Sequence, residues 1–544
     1  MGVSAKWVVL WSLWAARLVR QPTLPVRVSS GWLRGSVSPD GSHVEYLHIP
    51  YASVVKRFQA PGPARNWTGT FEAIEEYPTC HQTLGRRIHY PIGQEDCLSL
   101  NVFTPLNVAP DSKLPVLVHI HGGGYFENSA SRGTFGPEFI VRKDLILVVM
   151  NYRLYIHGFL CLGIPEAPGN AGMKDQVAAL KWIQVNIRAF GGDPDSVTIN
   201  GMSAGATAAA LHVLSPMSNG LFHRAIIQSG SSIADWGLRL DPLEVASKAA
   251  KFMGFNSKNP YELYNFYMNK TDAELITRIP QEEGLTIFHL VQFSPCVETH
   301  KGGEEPFLTE LPYNLLTRGE VNNVSIMIGT TNAEGIMMIG AELNETLDSL
   351  DTEKNLPENL AFPSALARRE FADEVKKLYV GDEELSSINK TKLIYYFGDP
   401  FISYPVLEET DLLMRASKQP VYSYLFGYDG GRNIIKRFIC GPELRAAAGA
   451  SHSDDLFYVY QIIFMPIFFE TEMIDKMTTL WANFARYGDP TPEPTDLIPE
   501  RWLPVTPEHQ QSYHIDRTFS MGPMWYNHSL LFWRDIYSKY RKLS

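Results

Sequence analysis

Asp195-Ser-Val-Thr-Ile-Asn-Gly-Met-Ser-Ala-Gly-Ala-Thr-Ala-Ala-Ala210 changes character at its centre. The β-branched residues before Asn200 have strand character, and the small-residue run from Ala204 to Val213 reads as helix. Gly201-x-Ser203-x-Gly205 lies between them, on the tight strand-to-helix turn that presents a nucleophilic serine. Side chains beside the serine would collide in so sharp a turn, so both flanking positions are glycine. The turn lifts the Ser203 hydroxyl above the end of a sheet and aims a helix N-terminus at an oxyanion formed there. The bare pattern is common in loops; the strand before it and the helix after it give it meaning.

A serine hydroxyl is a poor nucleophile at neutral pH and needs a base, an orienting acid and donors for the developing oxyanion. His119-Ile-His121-Gly-Gly-Gly-Tyr125 follows the strand-like run Leu114–Ile120 and supplies the donors. Its glycines let the N–H groups of Gly123 and Gly124 approach a substrate, and the Ala204 amide is the third donor. The base comes from 15 histidines. In enzymes with such an elbow it follows the acid, late in the chain, and His452 in Gly449-Ala-Ser-His-Ser-Asp-Asp455 fits that order. His223 reads as a surface or helix-end residue, and His509, His514 and His528 as residues of polar C-terminal loops. Glu334, in Gly329-Thr-Thr-Asn-Ala-Glu-Gly335 just past a strand-like run, is the candidate acid, although a lone loop glutamate is usually a solvated charge.

Continuous apolar runs at 114–120 and 145–150 have the length of strands buried on both faces. Further strand-like runs stand at 225–227, 325–328 and 421–426, with helical spacing between 169 and 187. Alternating strands and helices through both halves argue an α/β class with a mostly parallel sheet covered on each face. The charged, irregular stretches near 240–320 and 345–415 read as helical insertions over an active site. No linker divides the 544 residues, so 21–544 is expected to be one domain. The segment 1–20, with Lys6, an apolar run Trp7–Ala16 and Arg17, reads as a signal peptide. Sequons at Asn66, Asn269, Asn323, Asn344, Asn389 and Asn527 fit a secreted glycoprotein. The C-terminal Tyr540–Ser544 carries no anchor signal, so no stable membrane anchor is expected.

A formal charge of −11, without basic clusters, excludes nucleic acid as a partner class. The five cysteines show no zinc-ligand spacing, so neither a metal nor any other cofactor is expected. An odd count leaves at least one thiol unpaired, and Cys161, in an apolar run, reads as a buried core thiol.

Several blocks together resemble the carboxylesterase/cholinesterase (type-B carboxylesterase) family, from about residue 25 to the C-terminal helix. They are Glu95-Asp-Cys-Leu-Ser-Leu-Asn-Val102, Asn151-Tyr-Arg153, Gly169-Asn170, Asp175-Gln176 and Phe190-Gly-Gly-Asp-Pro194. The wording around the elbow and the His452 block is most similar to insect, particularly lepidopteran, members. The resemblance implies an α/β-hydrolase fold, a large mixed sheet with an active-site gorge, and a Cys80–Cys97 disulfide. It assigns Ser203 as nucleophile, Glu334 as acid and His452 as base, places Ser229 beside them, and makes Trp236 and Phe293 acyl-pocket walls. The family's second disulfide is expected to be absent, since no cysteine falls between 162 and 295.

The departures bear on substrate. The family elbow usually carries glutamate where Met202 stands; methionine makes the site more apolar and removes a proton acceptor. No tryptophan lies between Cys80 and Cys97 to hold a quaternary ammonium by cation–π attraction, so cholinesterase activity is disfavoured. The expected activity is hydrolysis of small apolar carboxylic esters through an acyl-enzyme. Arg57-Phe58, Asp175-Gln176 and the His452 block also suit a juvenile hormone esterase, whose elbow usually carries Gln at the Met202 position. A different class, the catalytically dead adhesion proteins of this family, usually lose a catalytic residue; Ser203, Glu334 and His452 are all present.

Overall fold

Val116, Val118 and Ile120 enter one apolar core while the intervening Leu117 enters another. Ile146, Val148 and Met150 alternate with Leu147 and Val149 in the same way. Side chains of a strand alternate between its faces, so an unbroken apolar run divides itself between two cores, one on each side of a sheet. The computed structural model describes residues 21–76, 79–84, 90–279, 284–299, 303–342, 347–383 and 389–543. The expected signal segment and Asn344 lie outside these residues.

The central sheet has eleven strands. In chain order they are β1 (Ser36–Val37), β2 (His43–Pro50), β3 (Ser99–Pro105), β4 (Leu114–Ile120), β5 (Ile146–Met150) and β6 (Gly192–Met202). After the elbow follow β7 (Arg224–Gln228), β8 (Ser325–Thr331), β9 (Val421–Phe426), β10 (Gln511–Ile515) and β11 (Phe519–Pro523). Across the sheet the order is β11-β10-β9-β8-β7-β6-β4-β5-β3-β2-β1. The strands from β5 to β10 pair in parallel, and both flanks are antiparallel. Parallel neighbours need crossovers, and helices supply them. Relevant here are α1 (Tyr155–Phe159), α2 (Ala171–Asn186) and α3 (Ala204–Leu214). The first insertion carries α4 (Pro242–Phe252), α5 (Pro260–Met268) and α6 (Asp272–Leu275), and the second carries helices at Ala365–Tyr379 and Tyr404–Ala416. Among the described residues no helix is long and apolar enough to cross a membrane.

Three expectations are corrected. Cys80 and Cys97 are disulfide-bonded, and so are Cys161 and Cys296, which leaves Cys440 as the free, buried thiol. Cys161 is thus bridged and not a core thiol; its bridge spans 135 residues, and its ends stand just outside the cysteine-free 162–295 interval. The Asn170 side chain brings them together: its Nδ2 donates to the Cys296 carbonyl and its Oδ1 accepts from the Cys296 amide, at 2.8 and 2.9 Å. His514 and His528 are not loop residues; His514 lies in β10, and His528 opens the C-terminal helix behind an Asn527 cap. The asparagines of the other sequons, Asn66, Asn269, Asn323, Asn389 and Asn527, are all exposed.

The turn between β6 and α3 is packed as tightly as its glycines suggest. A Cβ at Gly201 would stand 2.0 Å from the Gly205 carbonyl oxygen, and one at Gly205 2.0 Å from that of Ile120. Those contacts are with backbone, which has nowhere to move. Gly205→Ala is therefore expected to destabilise the protein by about 3 kcal/mol, the upper range for forced overpacking. Urea denaturation checks this, and a variant as stable as its parent would show that the turn can open.

Candidate active site

The carboxyl ends of four adjacent parallel strands converge, where α/β sheets place their ligands. β4 runs into the glycine sequence 122–124, β6 ends at Met202, β7 leads into Ser229, and β8 leads to Glu334. Register aligns them: Met202 pairs with Gln228, the Ser203 amide donates to the Gln228 carbonyl (2.9 Å), and the Ser229 amide donates to that of Gly329 (2.8 Å). Ser203 sits at φ 59°, ψ −125°, a strained backbone for a residue with a Cβ. It is partly exposed, while its neighbours Met202 and Ala204 are buried.

Glu334 and His452 meet in the folded chain. His452 Nδ1 lies 2.5 Å from Glu334 Oε2, and both side chains are buried. The other carboxylate oxygen, Oε1, accepts from the Ser229 hydroxyl (2.6 Å), the Thr330 hydroxyl (2.5 Å) and the Thr331 amide (2.7 Å). Burial pushes the Glu334 carboxyl upward, but the facing His452 and the hydroxyls of Ser229 and Thr330 outweigh it and hold the group below its ordinary value. His452 Nε2 is buried without a hydrogen-bond partner. An imidazole whose Nδ1–H is held by an ionised carboxylate presents an accepting Nε2, the form a serine base requires.

The loop bearing His452 is tied to the one bearing Glu334: the Ala333 amide donates to the Ala450 carbonyl, and the Ala450 amide to Asn332 Oδ1. Beyond His452, buried Asp455 accepts from Gln228 Nε2 (2.8 Å) and the Tyr424 hydroxyl (2.9 Å). Ser453 donates to the Met202 thioether at 2.8 Å, so the unusual elbow residue touches the loop that bears His452. Thr330, Thr331, Gln228 and Asp455 escaped the sequence reading. Their signal was only adjacency, each standing one to four residues from a candidate.

Asp454 accepts from the backbone amides of Ser451 and Lys436. Burial nevertheless drives its carboxyl from 3.8 up to about 7, against the pull of those amides. The folded chain thus binds this proton more tightly than the unfolded chain, and stability falls as pH rises from about 4 to about 7. Asp454→Asn is expected to flatten that slope, read by urea denaturation at several pH values; an unchanged slope would remove Asp454 as its source.

The glycine turn is rigid. Gly123 and Gly124 have φ of 107° and 57°, and the Gly123 carbonyl accepts from the amides of Phe126 and Glu127. His121 stacks on Tyr152 with ring centres 4.4 Å apart, and the Tyr152 hydroxyl donates to the His121 carbonyl (2.8 Å). Burial lowers His121 to about 4 and His119 to about 3, so both are neutral packing groups rather than bases. Trp236 and Phe293 are both buried. The Trp236 indole donates to the Phe401 carbonyl (2.8 Å), and Phe293 meets Tyr155 edge-on at 5.0 Å.

An elbow serine, a paired imidazole and carboxylate, and a glycine turn beyond the carboxyl ends of one sheet's strands are the parts from which α/β hydrolases build acyl-transfer machinery. The sequence profile of the carboxylesterase family matches residues 22–533, and the chain belongs to that family. It is 33% identical over 508 residues to "Esterase FE4" of Myzus persicae, covering 89% of this chain and 87% of that one. It is 31% identical over 510 residues to a juvenile hormone esterase of Heliothis virescens, covering 87% of each. The crystal structure of juvenile hormone esterase from Manduca sexta, with OTFP covalently attached, superposes with a TM-score of 0.83 at 27% identity. That superposition covers 96% of this chain and 100% of the other. The chain is accordingly a carboxylic ester hydrolase with an α/β-hydrolase fold.

Proposed function

We propose that this chain is a secreted serine esterase, a single catalytic domain behind a signal segment, acting on small apolar carboxylic esters. The buried Glu334–His452 pair, its Nε2 unpartnered, carries the proposal. Ser203 attacks the ester carbonyl while His452 takes its proton, and Glu334 holds the imidazole tautomer and stabilises the imidazolium. The amides of Gly123, Gly124 and Ala204 receive the oxyanion. His452 returns the proton to the leaving alcohol, and a water activated by the same imidazole then releases the acid. No cofactor enters these steps.

Met202 bears on the substrate. The thioether is buried against Ser453, where a carboxylate would attract a cationic alcohol. Neutral esters are therefore expected to outpace a choline ester of the same acid by at least tenfold in kcat/KM. A panel of acetate and methyl esters of increasing chain length, with acetylcholine included, measures this; a preference for acetylcholine would overturn the apolar reading. A narrower reading, juvenile hormone hydrolysis, draws on the relatives of that name. It stands if juvenile hormone exceeds every simple ester of the panel in kcat/KM.

A further inference from the structure

His81, His157 and Asp272 come from three distant parts of the chain and meet at one point. His81 follows Cys80 on the disulfide-closed segment, His157 lies in α1, and Asp272 is the first residue of α6, behind its Thr271 cap. His157 Nε2 is 3.0 Å from Asp272 Oδ1, and His81 Nε2 is 3.3 Å from Asp272 Oδ2. One donor atom from each of the three residues lies within 4.8 Å of the other two. The imidazoles stack at 5.1 Å between ring centres. None of these residues takes part in the acyl-transfer chemistry.

A tetrahedral zinc ion holds nitrogen and oxygen donors at about 2.0–2.2 Å, which sets neighbouring donors about 3.3 Å apart. The two histidine–carboxylate distances run to different oxygens of Asp272 and both lie close to that edge, and the two ring centres stand 5.1 Å apart. His157 is buried and His81 half-buried, whereas Asp272 reaches the surface and leaves an entry path. Arg57 and Glu95 complete the charges: Arg57 Nη2 donates to Asp272 Oδ1 (2.8 Å), and its Nε lies 3.7 Å from Glu95 Oε1. Two carboxylates and one guanidinium leave one net negative formal charge beside the two imidazoles. The Arg57 contact then orients the carboxylate from outside, as second-shell donors do at metal sites.

We propose that His81, His157 and Asp272 bind a divalent transition-metal cation, zinc in preference to magnesium or calcium, with water in the remaining position. The cation ties together two segments that grip the continuation of the glycine turn. Gln82, next to His81, exchanges hydrogen bonds with the Asn128 backbone at 2.8 and 2.9 Å. Arg278, beyond α6, pairs with Glu127 (3.1 Å) and lies over the Phe126 ring at 4.3 Å. Metal bound here braces residues 126–128 from two sides without touching the reacting atoms.

The test is calorimetric titration of chelator-treated, full-length protein with zinc chloride, alongside the visible d–d spectrum after cobalt(II) addition. One ion per chain is expected, with tetrahedral cobalt bands and a melting temperature that rises with zinc concentration. His81→Asn, at the rim, and Asp272→Asn should each weaken binding at least a hundredfold. Circular dichroism of the metal-free variants checks that at least one retains its fold. Absence of binding, or binding undiminished in a folded variant, would overturn the proposal and leave an ion-pair cluster only.

Discussion

Ser203→Ala is expected to lower ester turnover by a factor on the order of 10⁶, the effect of removing a nucleophile from machinery that works as a unit. The residue contributes almost nothing to packing. It is partly exposed at the turn, and its amide, which holds the turn to β7 through the Gln228 carbonyl, survives the substitution. Melting temperature should therefore hold while kcat collapses, and covalent labelling by an organophosphate should vanish with it. The same pair of measurements separates catalysis from the non-catalytic binding role known in this family. If the unmutated protein neither turns over esters nor takes the label, the binding role stands; if Ser203→Ala turns over at near the parent rate, another nucleophile must be sought.

Local backbone demands made much of the site legible. Gly201 and Gly205 are required by contacts of 2.0 Å within the turn itself, and Gly123 and Gly124 by positive φ, so these features leave a mark in consecutive residues. The central strands were legible for a related reason: strands covered on both faces need unbroken apolar runs, and β4 and β9 begin and end where their runs do. Features that depend on long-range pairing left no such mark. Glu334 and His452 are 118 residues apart, and only chain order and the family resemblance joined them. Thr330 and Thr331 are ordinary strand residues until the strand ends under a carboxylate. The Cys161–Cys296 bridge and the His81–His157–Asp272 cluster belong to the same class, because α1 and the first insertion meet only in the folded chain. Zinc spacing read along a sequence detects local loops of ligands, not ligands delivered by three elements.

Glu334→Gln is expected to cost a factor on the order of 10⁴ in kcat, through the imidazole tautomer rather than through lost packing. Three donors converge on Oε1, from Ser229, Thr330 and Thr331, while Oε2 faces His452 Nδ1. The hydroxyls can turn to accept, but the Thr331 amide can only donate. A glutamine must therefore keep its carbonyl oxygen at the Oε1 position and direct its NH₂ at His452. That group donates to Nδ1, so the ring carries its own proton on Nε2 and has no lone pair there for the Ser203 hydroxyl. The neutral amide also leaves the imidazolium of the transition state without its counter-charge. Ser229→Ala supplies the comparison: it removes one donor but keeps the carboxylate and the tautomer. Its cost should be about 10- to 100-fold, the range for one hydrogen bond to a charged group. Steady-state kinetics of the two variants, with melting temperatures as the control for folding, distinguish the roles. Near-equal losses would mean that the charge and the tautomer together contribute no more than one hydrogen bond to the carboxylate. A gap of two or more orders of magnitude would place its effect in the charge and in the proton it keeps on Nδ1.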